Sequence, residues 1–304
     1  CAEIFTRNTL DGVFSHGVNR FAKFVSYVRE GFIDPKAVPS IKGRMGSVEQ
    51  WDGNLGPGPL NASRATDRVM EISVECGMGM VAMANTNHWM RGGTYGWQAA
   101  RKGFVFIGWT NTMANMPAWG ATDPHLGNNP LVIAVPYNDT AVVLDFAMSQ
   151  YSYGKMESYR NAGKMLPFPG GFSSRGEMTD DPGLILESWR SLPIGYWKGS
   201  SLSLLLDILA AILSGGLSVH EISKIKSEYS LSQVFIGVNI TGLSNFPAIN
   251  DAVDKIVTDL HRSIPVNEYA RVRFPGENIS SIRNDHEKNG IPVSRKIWKE
   301  IEKL

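Results

Sequence analysis

Ser15-His16-Gly17-Val18-Asn19-Arg20 sets an imidazole and a guanidinium four residues apart. If a helix starts near Gly17, His16 sits at its N-terminal edge and Arg20 lies one turn on, on the same face. Together they suit a 2-oxo acid. Arginine grips a carboxylate with two parallel hydrogen bonds. Histidine, which titrates near neutrality, hands a proton to the adjacent carbonyl oxygen. The same spacing fits a helix-end histidine beside a solvated arginine, which asks for no ligand.

Asn85-Thr86-Asn87-His88-Trp89-Met90-Arg91-Gly92-Gly93 gathers amides, a second histidine, an arginine and two glycines after a strand-like run, Met80 to Ala84. Loops at strand ends are where sites are built, although a polar turn with Trp89 in the core reads equally well. Asn111 to Asn115 follows another strand run and offers hydrogen bonds to the same ligand. Trp197-Lys198-Gly199-Ser200-Ser201 opens an apolar helix. Free backbone N–H groups there, with Lys198, favour an anion such as a cofactor phosphate; capping by Ser200 or Ser201 accounts for the same residues. Asp145 ends a strand run from Ala141, a place suited to a ribose hydroxyl or to a turn.

Gly77-Met78-Gly79-Met80-Val81-Ala82 fits the dinucleotide fingerprint G-x-G-x-x-A. That motif needs a strand before it and a helix after it. Here the order is reversed, so the glycines read as a helix stop and a strand start. There is no G-x-S-x-G elbow, no phosphate-binding P-loop, no C-x-x-C and no H-E-x-x-H, and no two of the six histidines lie within five residues. No metal site is expected.

The positioning elements follow from periodicity. Helices are expected over Ala2 to Leu10, Val18 to Glu30, about Ala62 to Cys76 with Asn61 as N-cap, Ser201 to Leu213, Ala248 to Ile264, Ile279 to Lys288 and Val293 to Leu304. Gln98 to Lys102 closes another helix, and Ser218 with Glu221 forms a capping-box signature. In the amphipathic run, Ile249, Val253, Ile256 and Leu260 share one stripe. Strands are expected over Phe104 to Thr110, Leu131 to Val135, Ala141 to Asp145 and Ser232 to Ile240, with a loop holding at most short extended pieces over Lys36 to Pro59 and a long surface loop over Leu166 to Pro182. Helix-rich ends thus enclose a strand-rich middle.

The 304 residues carry 30 Lys+Arg against 29 Asp+Glu, without the basic excess a nucleic-acid surface needs. Hydrophobic residues at 43% and charged residues at 19% describe a globular chain rather than a disordered one. Two cysteines make no disulfide framework, so a reducing, cytoplasmic setting is expected. No signal-peptide pattern stands at the start, and the apolar run Leu202 to Leu213 carries Asp207 and is too short to cross a bilayer. Because Ala2-Glu3-Ile4-Phe5 already reads as helix interior, a preceding segment is expected.

Ser-His-Gly-Val-Asn-Arg at 15–20, Asn-His-Trp-Met-Arg-Gly-Gly at 87–93 and Trp-Thr-Asn at 109–111, with Tyr-Trp-Lys-Gly-Ser at 196–200 and Pro-Gly-Glu at 275–277, together resemble the malate/L-lactate dehydrogenase family of the non-Rossmann type. The likeness runs over essentially the whole chain. It implies an α/β (α+β) fold: a mixed, largely antiparallel sheet in a non-Rossmann NAD-binding domain, over 87–252, with a helix-rich substrate and dimerisation domain from 1–86 and 253–304. It also implies an NAD(P)-dependent oxidoreductase that works as a homodimer. By that resemblance His16 is the proton donor, His88 the second active-site histidine and Arg20 the carboxylate grip. Cofactor contacts fall on Ala141, Val142, Val143, Leu144, Asp145, Phe146 and Ala147, on Trp197 and Lys198, and on Gly276, Glu277 and Asn278. Phe146-Ala147-Met148-Ser149 is less polar than the family pattern, and Asn278 is a departure from it. Asp145 would repel a 2′-phosphate, which favours NADH over NADPH.

The expected reaction is reduction of an open-chain, sugar-derived 2-oxo acid, with no nucleic-acid or membrane partner. Malate, lactate, ureidoglycolate or a cyclic imine acid would suit the same chemistry. A catalytically silent ligand-binding relative is the reading from another class.

Overall fold

The computed structural model describes residues 1–225 and 227–304. Its strands are β1 (Ser40–Met45), β2 (Val48–Asp52), β3 (Met78–Thr86), β4 (Phe104–Thr110), β5 (Met116–Pro117), β6 (Pro124–Leu126), β7 (Leu131–Tyr137), β8 (Thr140–Phe146), β9 (Gly171–Phe172), β10 (Met178–Thr179) and β11 (Leu231–Asn239). Its α-helices are α1 (Ala2–Leu10), α2 (Phe21–Arg29), α3 (Gly58–Cys76), α4 (Gly93–Ala100), α5 (Tyr153–Asn161), α6 (Pro182–Ser188), α7 (Trp197–Ser214), α8 (Val219–Ile222), α9 (Phe246–His261), α10 (Ile279–Asn289) and α11 (Arg295–Ile301).

Seven strands form one sheet in the order β1-β2-β3-β11-β4-β7-β8. β2 and β3 run parallel, with α3 as the crossover between them. The neighbouring pairs of β11, β4, β7 and β8 are antiparallel, as are β1 with β2. The mixed, largely antiparallel sheet is therefore as expected. Strand alternation gives the sheet two cores. Val81, Phe106, Val132, Val143 and Phe235 meet α3 and α4 in one cluster. Their neighbours Ala82, Trp109 and Val234 meet Leu206 and Ala210 of α7 in the other. The middle strand, β11, is buried along most of its length because both of its faces are covered.

The G-x-G run falls where the sequence order demands: α3 ends at Cys76, Gly77 turns with φ +80°, and β3 follows. The capping box of Ser218 and Glu221 is present, and β4 has the expected ends. Other elements differ. The short extended pieces allowed within Lys36 to Pro59 are a full hairpin, β1–β2, that joins the main sheet. It escapes pattern reading because β1 is mostly exposed and shows no buried alternation. Helix α3 starts three residues before Asn61, with Pro57 as its N-cap and Pro59 in its first turn. Asn61 is buried instead, donating to the Gly53 carbonyl and to Thr86 Oγ1. The sheet takes β1, β2 and β3 from residues before 87.

Helix α7 is 18 residues long and, by length and composition, apolar enough to cross a membrane, longer than the apolar run alone suggested. One stripe, Ser203, Leu206 and Ala210, is buried on the sheet, while Leu205, Ile208 and Ile212 are exposed.

Candidate active site

His16 and Arg20 are not on one continuous helix. Two 3₁₀ turns, Phe14–His16 and Val18–Arg20, precede α2 and replace the single helix expected from Val18. Helix α1 holds them from behind. Asn8 Nδ2 donates to the His16 carbonyl at 2.9 Å, and the Val18 N–H donates to Thr9 Oγ1 at 2.8 Å. The approach is so close that a Cβ on Gly17 would stand 2.1 Å from Thr9 Oγ1. Glycine is required there for space.

His88 arrives from the other direction, two residues beyond the end of β3. Its Nδ1 accepts the Met90 N–H at 2.9 Å, so in the neutral ring the proton is on Nε2. Met90 adopts φ +67°, a left-handed conformation costing on the order of 1 kcal/mol or more for a residue with a side chain. Burial of Met90 with Phe5, Phe24 and Ile33 holds that conformation in place.

The two imidazoles stack, with centroids 5.6 Å apart and planes 18° from parallel. They face a cavity of about 290 Å³ together with Arg20, Arg91, Asp145, Phe146 and Ala147. Burial, then Arg20 and Arg91, depress the His16 pKa to about 4. Burial, with Arg20, His16 and Lys23, lowers that of His88 as well. Both rings are thus neutral in the free site near pH 7, and a ligand anion beside Arg20 offsets one cause of the depression.

Asp145, next to last in β8, lies on the same face as Ala141 and Val143, as the strand period requires. Its Oδ2 accepts the Gly93 N–H at 2.7 Å at the start of α4. Desolvation raises its pKa, against the Gly93 N–H and the Arg91 charge, which lower it. A carboxylate fixed this way on a cavity wall is an acceptor for a pair of vicinal hydroxyls, the feature a dinucleotide ribose presents. Arg91 is itself held by buried Asp11, which also binds Arg283 of α10.

The remaining residues expected at the cofactor do not line this cavity. Ala141 and Val143 point into the core, and the Val143 N–H donates to the Pro275 carbonyl. Val142 and Leu144 lie between them on the other face of β8. Gly276, at φ +89°, lies against Trp97 and the Val143 backbone, so the 141–144 and 276 segments do meet at the sheet edge. Glu277 binds His261 and the Phe274 N–H, and Asn278 precedes α10. Trp197 and Lys198 are exposed at the start of α7. The cavity gains groups not singled out individually in the sequence: Thr112, Asn115, Asn128, Tyr153, Glu157 and Glu228. The amide-rich run at 111–115 was a signal for two of these; nothing local marks Tyr153, Glu157 or Glu228.

A cationic group beside paired imidazoles can bind the carboxylate of an oxo acid and pass a proton to its carbonyl oxygen. A family model described as malate/L-lactate dehydrogenase matches residues 1–302. The chain belongs to that family, and it is an oxidoreductase acting on a CH–OH or oxo group. It is 43% identical over 305 residues to a 2,3-diketo-L-gulonate reductase of Escherichia coli O6:K15:H31, covering 100% of this chain and 92% of that one. Its fold is similar to a malate dehydrogenase from Entamoeba histolytica, with a TM-score of 0.93 and 26% identity over 99% of this chain and 88% of that one. It is also similar to a sulfolactate dehydrogenase from Methanocaldococcus jannaschii, with a TM-score of 0.87 and 25% identity over 99% and 87%. Membership of this dehydrogenase family implies a nicotinamide cofactor.

Proposed function

We propose that this chain reduces an open-chain, sugar-derived 2-oxo acid with NADH, and specifically 2,3-diketo-L-gulonate to 3-keto-L-gulonate. The observation that carries the reading is the stacking of His16 on His88 beside Arg20 on one cavity wall. The choice of substrate is supported by the relative at 43% identity and by the polar lining of that cavity.

The nicotinamide cofactor, when bound, supplies the hydride. Asp145 would hold a ribose hydroxyl pair, with Phe146 and Ala147 beside it; its charge disfavours a 2′-phosphate and so NADPH. Gly276, Glu277, Asn278, Trp197 and Lys198 are the further residues that would contact the cofactor. Val143 has its N–H already engaged and offers no donor. Arg20 grips the substrate carboxylate with parallel hydrogen bonds. That anion favours the protonated imidazole, so His16 takes up a proton as substrate binds and gives it to the nascent alkoxide. His88, with its proton on Nε2, and the nearby Asn115 and Asn128 orient the other oxygens.

The helix-rich segments 1–86 and 253–304 serve substrate binding and dimerisation around the cofactor-binding segment 87–252. A homodimer is supported by the exposed apolar residues Ile256, Leu260, Ile264 and Val266 of the 253–304 segment. A reducing cytoplasm fits the two free thiols, Cys1 and Cys76.

His16→Ala tests the assignment. Turnover should fall by roughly 10²–10⁴, the usual contribution of a positioned general acid, while NADH binding followed by fluorescence persists. Near-normal turnover would transfer the donor role to His88.

A further inference from the structure

The cavity carries more negative charge than a site for anions needs. Arg91 is taken up by Asp11, which, among the described residues, leaves Arg20 to face a ligand, with Lys23 one turn behind it. Against them stand three carboxylates on the lining: Asp145, Glu157 and Glu228. Asp145 has its partner in Gly93. Glu157 and Glu228 have no part in the chemistry described so far.

Glu228 occupies a defined corner. Its Oε2 accepts the Met113 N–H at 3.2 Å, which anchors it beside the Thr112–Asn115 wall. It also lines a side chamber of about 20 Å³ that shares Arg20, His88 and Met90 with the main cavity and adds Lys23, Tyr27 and Asn87. That volume holds a water or a hydroxyl-sized group and is too small for a carboxylate. The charge of Glu228 is felt there: with burial it pushes the Tyr27 phenol up, and with Glu157 it opposes the lowering of Lys23 by burial and Arg20.

Glu228, Thr112 and Asn115 line the same cavity that Arg20 faces, within reach of the rest of a ligand gripped there. Hydroxyl groups find acceptors on that lining. A second carboxylate finds like charge in a partly desolvated site, the arrangement that rejects a wrong partner most strongly. Malate and sulfolactate, for which the two similar folds are named, are dianions.

Building on the substrate reading above, we propose that Glu228, with Glu157 of α5, is the specificity determinant that admits a monoanionic 2-oxo acid with a hydroxylated tail and refuses a dicarboxylate.

The test compares kcat/KM for 2,3-diketo-L-gulonate and for oxaloacetate, followed by NADH absorbance, in the wild-type protein, E228Q, E228D and E157Q/E228Q. Glutamine keeps an acceptor for the Met113 N–H and removes the charge. The ratio should shift toward oxaloacetate by roughly tenfold or more in E228Q, chiefly through KM, further in the double variant, and return toward wild type in E228D. Circular dichroism and NADH titration establish that each variant is folded; where E228Q is not, E157Q alone is read the same way. An unchanged ratio in folded variants overturns the inference. So does a wild-type protein that reduces both acids equally, which leaves the sugar-acid reading standing. A wild-type protein that reduces neither overturns that reading, and the inference with it.

Discussion

The two walls of the cavity are built differently. The wall that carries His16, Arg20 and His88 is framed by ties between distant segments. Asn8 holds the His16 carbonyl and itself accepts from Thr94 of α4, and Asp11 joins Arg91 to Arg283 across the whole length of the chain. A second wall belongs to residues 151–192, which have a small core of their own in Met156, Leu166 and Ile185 and touch the first wall where Gly154 meets Ser15. Its tie near the cavity is the Asn115 carbonyl, which accepts the Tyr153 hydroxyl, the Ser191 N–H and the Ser191 hydroxyl. Reacting groups need a fixed geometry, because small misplacement costs rate. A wall joined by few bonds opens at lower free energy, which is what passage of substrate requires.

The largest way to break this contrast is Asp11→Ala. Asp11 and Arg91 are 5% and 6% exposed, so removal of the carboxylate leaves a buried guanidinium without its partner. Losing one member of such a pair costs about 3–5 kcal/mol. Urea unfolding should show that loss, together with weaker catalysis, because Arg91 and α4 move with it. A variant as stable as the wild-type protein would mean that the framed wall does not depend on this network.

Protonation probes the same wall more gently. His16 titrates at about 4 in the folded protein and near its ordinary value of 6.5 when unfolded, so in that interval the unfolded chain binds more protons. The stability this provides is complete above pH 6.5 and is lost as the pH falls toward 4. His88, also depressed, adds in the same direction. Replacing His16 by Gln should flatten the fall of Tm with decreasing pH, recovering roughly 3 kcal/mol across the interval. Parallel Tm curves for the two proteins would place His16 in water.

The same contrast explains what could be read before the fold was known. Elements with strong apolar periodicity or clear punctuation, such as β4 and the Ser218–Glu221 box, are legible because local chemistry decides them. Helix α5 is not, since Met156 is its one buried residue and its remaining pattern is polar. On the framed wall, His16, Arg20 and His88 stand out by residue type, yet their pairing depends on two segments 72 residues apart meeting over α1. Tyr153, Glu157 and Glu228 have no local mark, because their role comes from the wall they reach and not from their neighbours in the chain.

The smallest effect belongs to the other wall. Tyr153 is half-buried, packs on Trp189 with ring centroids 4.1 Å apart and donates to the Asn115 carbonyl at 2.7 Å. Tyr153→Phe keeps the ring contact and removes that single bond. Because the carbonyl keeps both Ser191 donors, no buried acceptor is orphaned, and the loss should be about 1 kcal/mol. It should also be local. Amide exchange over 151–192 should quicken, and KM for the oxo acid should rise a few-fold, while global unfolding and kcat stay near the wild-type values. Were the change to slow kcat by the factor expected for His16→Ala, the 151–192 wall would have to be counted with the reacting groups, and the distinction between a framed wall and a yielding one would fail.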